Sequence, residues 1–204
     1  MSDYEHDVFI SLAHLGDWVE WVEVNFLKRF NHWLATELER ESTYYLAKHA
    51  IYPGDGWPRE LAENLARSRT LLAICTSAYP KRPWCQLEFS MMRAREEKYG
   101  LRTTRTGGLI VPVIAHDCDD SPRFLSGIHP VSVKGLTYKC LCPEGKEAQI
   151  LDQRIEAIAK GVAKAISCAP PFEKEWEELT CDCFIKLFEE HNEGGGPPRN
   201  PRLF

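Results

Sequence analysis

The sequence predicts an α/β fold of flavodoxin-like type: a five-stranded parallel sheet with helices on both faces, followed by a C-terminal acidic helix. Three observations carry this. Short apolar runs bounded by polar residues, such as Asp7-Val8-Phe9-Ile10-Ser11 and Thr70-Leu71-Leu72-Ala73-Ile74-Cys75, read as strands buried on both faces. Segments with a helical apolar period lie between such runs. Strands alternating with helices call for crossover connections, which a parallel sheet covered on both sides supplies.

Taken in order, the first strand is Asp7 to Ser11. From Trp18 to Leu38, residues Trp18, Val22, Phe26, Leu27, Phe30, Trp33, Leu34 and Leu38 recur close to a helical period. Thr43-Tyr44-Tyr45-Leu46 reads as the second strand, and Pro53, Gly54 and Gly56 enforce a turn in the loop from Lys48 to Gly56. Trp57 to Ala66 makes the next helix, with Pro58 at a tolerated early position. The third strand and a Pro-bearing turn lead into a helix over Trp84 to Tyr99. Gly108 to Ile114 is the fourth strand, where Pro112 implies a strand end or a sheet edge. His129 to Val133 is a short fifth strand, and Ile150, Leu151, Ile155, Ile158, Val162 and Ile166 mark the last helix of the domain.

This gives a domain over residues 1–169, a helical extension over 170–193 and a flexible tail over 194–204. The extension follows Pro170-Pro171 and is rich in glutamate. Its stripe of Trp176, Leu179, Cys183 and Leu187 is expected to dock on the domain or on a neighbouring subunit. The tail opens on Gly194-Gly195-Gly196-Pro197-Pro198, which breaks regular structure.

Composition narrows the function classes. No apolar run approaches the roughly 18 residues of a membrane span. The segment Met1 to Asp7 is acidic rather than basic, unlike a signal peptide, so a cytoplasmic protein with no membrane partner is expected. A net charge of −5 argues against nucleic acid as a partner. The basic residues Lys81, Arg82, Arg93, Arg95, Lys98, Arg102 and Arg105 read mostly as a solvated helix face. Eight cysteines in a reducing compartment read as small buried side chains. Cys140-Leu141-Cys142 and Cys181-Asp182-Cys183 are too closely spaced for the usual zinc pairs, so no metal is expected. Gly54-Asp55-Gly56 lacks the third glycine of a dinucleotide fingerprint, and Gly145-Lys146 lacks the rest of a P-loop. Neither a Gly-x-Ser-x-Gly elbow nor a His-Glu-x-x-His motif occurs.

Chemistry is concentrated at Trp84-Cys85-Gln86-Leu87-Glu88, which opens a helix directly after a strand and turn. Trp84 and Glu88 are four residues apart, so an indole and a carboxylate share one helix face. That pairing suits a cationic, ribose-bearing ligand. Ligands on parallel sheets lie at the strands' carboxyl ends, which brings Ser11, Ala13, His14, Ser77 and the loop around Gly54 to the border of the site. Each residue also has a plainer reading. Glu88 can be a helix-face acid paired with Lys81 or Arg82, Trp84 a packing residue over the sheet, Cys85 packing, and Ser77 a helix cap. Asp55 and Asp117 are loop acids that could approach Glu88, and His6 reads as surface.

The runs HDVFIS (6–11), YPGDGWPRELAENLARSRTLLAICTSAY (52–79) and WCQLE (84–88) together resemble the three signature segments of a TIR domain, over roughly residues 4–166. The resemblance implies cleavage of the nicotinamide–ribose bond of NAD+ as substrate, with no separate cofactor and with Glu88 as the catalytic residue. Substrate contacts are expected from Ser11, His14 and Ser77 by their place after the strands and from Trp84 by its face shared with Glu88, and the resemblance adds Tyr45. Tyr45 matches a position that is often aromatic near the ligand, although the acid that commonly follows that strand is replaced around Ala47-Lys48. The loop holding Pro53, Gly54 and Asp55 corresponds to one through which family members self-associate. A chain of this kind resembles the stand-alone bacterial TIR proteins of Thoeris-type antiphage defence. Those make a cyclic ADP-ribose isomer or an ADP-ribose conjugate that activates a separate effector protein. Two other functions stay open: a non-catalytic TIR interaction scaffold, and a microbial effector that perturbs host TIR signalling.

Overall fold

Alternation along the strands decides which layer each side chain joins. The computed structural model describes residues 4–47, 57–102, 107–118, 125–137 and 145–193. Strands β1 (His6–Leu12), β2 (Tyr44–Leu46), β3 (Ser68–Cys75), β4 (Ile110–Ile114) and β5 (Val131–Ser132) form one parallel sheet in the order β2-β1-β3-β4-β5. In β1, Val8, Ile10 and Leu12 enter one core cluster while Phe9, together with Ala13 just past the end of the strand, enters the other. In β3, Leu72 and Ile74 oppose Leu71, Ala73 and Cys75 in the same way. Both faces of the sheet are therefore buried.

One face is covered by α1 (Trp18–Trp21), a π-helical segment (Val22–Leu27), α2 (Lys28–Leu38) and, packed against α2, α5 (Lys146–Ser167). The other face carries α3 (Trp57–Ala66), α4 (Pro83–Lys98) and α6 (Lys174–Glu193), with α6 packed on α3. Five strands in the expected chain order and helices on both sides make this the fold class the sequence predicts. The helix expected from Trp18 to Leu38 runs through its full length, with a wider π turn inside it.

Two expectations change. Pro112 lies within an internal strand, opposite Ala73 of β3, and not at a sheet edge. Leu109 and Ala115 direct backbone bonds to β3, so by alternation the Pro112 nitrogen faces the β5 side. There β5 pairs only with Val113 and Ile114, and no donor is needed at Pro112.

The C-terminal helix docks on the domain itself, but its buried stripe is Trp176, Thr180, Phe184 and Leu187. Leu179 is 41% exposed and Cys183 half-buried. Arg67 secures this helix with two bonds to Glu177, at 2.9 and 3.2 Å. Lys98 pairs with Glu173, and the Tyr4 hydroxyl donates to the Pro170 carbonyl at 2.7 Å.

The basic run, expected to be mostly a solvated face, has Lys81, Arg82 and Lys98 exposed and one buried member. Arg95 is buried, donating to the Ser68 carbonyl at 3.1 Å and to the Tyr4 hydroxyl, with its guanidinium over the rings of Tyr4 and Trp176. Arg102 forks onto the buried Glu96 at 2.6 and 2.7 Å, and Glu96 also accepts the Leu109 and Ile110 amides. This staple fixes the entry to β4. Among the described residues six cysteines carry free thiols, of which Cys75, Cys85 and Cys181 are buried. No described helix is long and apolar enough to cross a membrane.

Candidate functional site

Ser11 is a hydroxyl on the apolar side of a strand buried on both faces. It shares its side of β1 with Phe9 and Ala13, so it points into the layer occupied by α3 and α4. A hydroxyl taken from water there needs partners. It finds two: Ser11 Oγ donates to Glu88 Oε2, and it lies 2.6 Å from the hydroxyl of Tyr79. All three side chains are 0% exposed.

The turn after β3 supplies Tyr79, and the start of α4 supplies Glu88. Tyr79 opens a 3₁₀ turn (Tyr79–Lys81), with its amide bonded to the Thr76 carbonyl at 3.1 Å. Arg82 then takes an extended backbone and Pro83 begins α4, where its missing N–H costs nothing. That start sets the helix phase so that Cys85, Glu88 and Met92 point inward. Lys81 and Arg82 lie exposed at the head of the helix while the Glu88 carboxyl turns inward to Ser11. The surface ion-pair reading of Glu88 does not hold.

Burial pushes the Glu88 carboxyl up to about 8, against the opposing pull of the Ser11 hydrogen bond. Burial also raises Tyr79 and Cys85 well above their ordinary values, with the Glu88 charge adding to both. Tyr45 is pushed up to about 12 by burial, then by the charges of Glu60 and Glu88 and a hydrogen bond to Glu60. It stacks on Phe9 with ring centroids 5.4 Å apart. Ser11, Tyr45 and Glu88 are thus one electrostatic neighbourhood, and Tyr79 is the member that sequence reasoning missed. The signal was present, since an aromatic hydroxyl just past a buried strand must find a partner when the ring is covered.

The remaining candidates separate. His14 Nε2 lies 2.8 Å from the Ala47 carbonyl and so ties the loop after β1 to the end of β2. Trp84 is half-buried with its ring 6.0 Å from that of Phe184, so its neighbour here is the C-terminal helix. Ser77 sits half-buried in the turn after β3. Asp117 is exposed and paired with Lys134, and His6 bonds Asn64 at 2.8 Å. Pro53, Gly54 and Asp55 lie outside the described residues. A cavity of about 220 Å³ lined by Asp17, Trp18, Trp21 and Thr137 does not include Glu88.

What this arrangement offers chemically is a carboxyl kept largely neutral near pH 7 by an apolar layer. A cation brought beside it would favour the ionised form, and that anion would in turn stabilise positive charge on the cation.

The match to known proteins is by family. A family model described as TIR domain matches residues 8–141. Among solved structures, the TIR domains of the activated Roq1 resistosome directly recognizing the pathogen effector XopQ are 15% identical, covering 89% of this chain and 98% of that one at a TM-score of 0.37. No curated protein matches.

Proposed function

Because the chain belongs to the TIR domain family, we propose that it cleaves the nicotinamide–ribose bond of NAD+, with Glu88 as the catalytic residue. The observation that carries this reading is the buried Glu88 carboxyl at the carboxyl end of β1, bonded to Ser11 and lifted to about 8. Nicotinamide in NAD+ is already cationic, so the C1′–N bond breaks with its electron pair going to the ring nitrogen. Neutral nicotinamide leaves and an oxocarbenium-like ribose remains. The approaching cation favours the ionised form of Glu88, whose proton passes to solvent water, and the carboxylate then stabilises the ribose charge and accepts hydrogen bonds from its hydroxyls. Capture by water gives ADP-ribose and a proton. Capture by an adenine nitrogen or a ribose hydroxyl gives a cyclic ADP-ribose, also with loss of a proton. In this reading Tyr45, Trp84, His14 and Ser77 border the substrate. The loop with Pro53, Gly54 and Asp55 serves self-association, and the product activates a separate effector in antiphage defence.

The test is incubation of purified protein with NAD+ and identification of products by mass spectrometry, beside Glu88→Gln. Release of nicotinamide by the parent and its fall by at least about 100-fold in the folded variant is the expected result. Equal turnover by a folded Glu88→Gln variant would sink the assignment.

The complete burial of Glu88 favours a second reading, in which the acid is structural and the domain is an interaction scaffold. That reading expects no nicotinamide release by either protein and the same self-association in both.

A further inference from the structure

Tyr79 is a large polar side chain at this site with no part in the cleavage scheme. Its hydroxyl is fully buried and lies 2.6 Å from Ser11 Oγ, which itself donates to Glu88. Ser11 has a single proton, so while that proton is directed at Glu88, the Tyr79 hydroxyl must be the donor to the Ser11 oxygen. The ionised carboxylate is thus served by a two-hydroxyl chain, Tyr79 to Ser11 to Glu88. When Glu88 is protonated and donates to Ser11, the Ser11 proton is directed away from the carboxyl and the chain runs the other way. Each hydroxyl polarises the next, so the outer one strengthens the inner bond.

We propose that Tyr79 is a positioning residue that governs the charge state of Glu88 through the Ser11 hydroxyl. Its role in turnover rests on the NAD+-cleavage reading, whereas its hold on the charge of Glu88 does not. The other groups facing this point come from each neighbouring element. They are Cys85 of α4, whose thiol also bonds Ser11, and Cys75 at the end of β3. Tyr45 of β2 is bonded to Glu60 of α3, and Arg82, at the head of α4, is felt by Cys85. The C-terminal helix presents Phe184 to Trp84. None of these groups changes in the variants below, so a shift shared by those variants belongs to the hydroxyl chain.

The experiment is a pH titration of the Glu88 carboxyl by infrared difference spectroscopy on the full chain, with the band identified by its loss in Glu88→Gln. Tyr79→Phe is expected to raise the midpoint by about half a pH unit, and Ser11→Ala by about one to two units. The double variant is expected to match Ser11→Ala alone, because Tyr79 acts only through Ser11. Ser11→Thr, which keeps the hydroxyl, should restore the parent midpoint. Site-specific 3-fluorotyrosine at position 79 keeps the shape of the ring, donates more strongly and should lower the midpoint, so the proposal stays testable if Tyr79→Phe fails to fold. A parent-like midpoint with the fluorinated residue, or shifts that add in the double variant, overturns the proposal. If these shifts appear but no nicotinamide is ever released, the cleavage reading falls and the hydroxyl chain stands. If cleavage occurs, the acid limb of the kcat profile should move with the infrared midpoint.

Discussion

Replacing Glu88 with glutamine should stabilise the folded protein by an amount that grows with pH. Glu88 titrates near 8 in the folded chain against an ordinary value of 4.5. Between those values the native state holds a proton that the unfolded chain has released, so the parent loses stability as pH rises through this window. At about 1.36 kcal/mol per pH unit, the cost is about 1 kcal/mol at pH 5, about 3 at pH 7 and about 5 above pH 8. The amide of the Glu88→Gln variant does not titrate, and its carbonyl still accepts from Ser11. Every other titrating group is common to the two proteins, so the difference between their melting curves isolates this one carboxyl. From pH 5 to pH 7 the gap should widen by about 2 kcal/mol, which for a domain of this size is roughly 4–8 °C in Tm. Thermal unfolding followed by circular dichroism at pH 5, 6, 7 and 8 measures it directly. A gap that stays constant or narrows would refute the reasoning, because it would mean that the carboxyl is as well solvated in the native state as in the unfolded one.

Two further outcomes follow from packing. Truncation after Ala169 removes Trp176, Phe184 and Leu187 from the layer over α3 and α4, and at about 1.5–3 kcal/mol per buried side chain the loss is roughly 5–9 kcal/mol. The shortened chain should keep its α/β dichroism with a lower Tm and should self-associate on size-exclusion chromatography; an unchanged Tm would show that the helix adds nothing to the core. Gly108→Ala should cost about 1–3 kcal/mol in urea unfolding, because a Cβ there would overlap the Arg102 guanidinium and stand 2.5 Å from Glu96 Oε1. A neutral result would mean that the staple holding the entry to β4 is loose.

The strands and helices were legible because burial on both faces leaves apolar runs, and helices between them keep their period. The register of polar groups inside those runs was harder to read. Ser11 looked like a ligand contact at a strand end, yet its place beside Phe9 and Ala13 turns it toward Glu88. Glu88 stood out from its neighbours in sequence, but its burial depends on α4 starting at Pro83, a phase set by the preceding turn. Arg95 was indistinguishable from its exposed neighbours until Tyr4, Ser68 and Trp176, from three distant segments, were brought around it. On α6, Leu179 and Phe184 compete for the buried stripe by composition alone. The angle at which that helix crosses the domain chooses Phe184.

The bond from Tyr4 to the Pro170 carbonyl spans 166 positions of the chain. Its ring also meets Phe172 edge-on at 5.6 Å. β1, which begins two residues after Tyr4, is held between β2 and β3. During synthesis Tyr4 therefore leaves the ribosome long before Pro170 and Phe172 exist, and contacts of such separation close slowly. An arrest placed before Pro170 should yield a nascent chain whose sheet is protease-sensitive near residue 4, and release of α6 should abolish that sensitivity. The order of translation thus becomes a checkpoint on the seal that holds this fold shut.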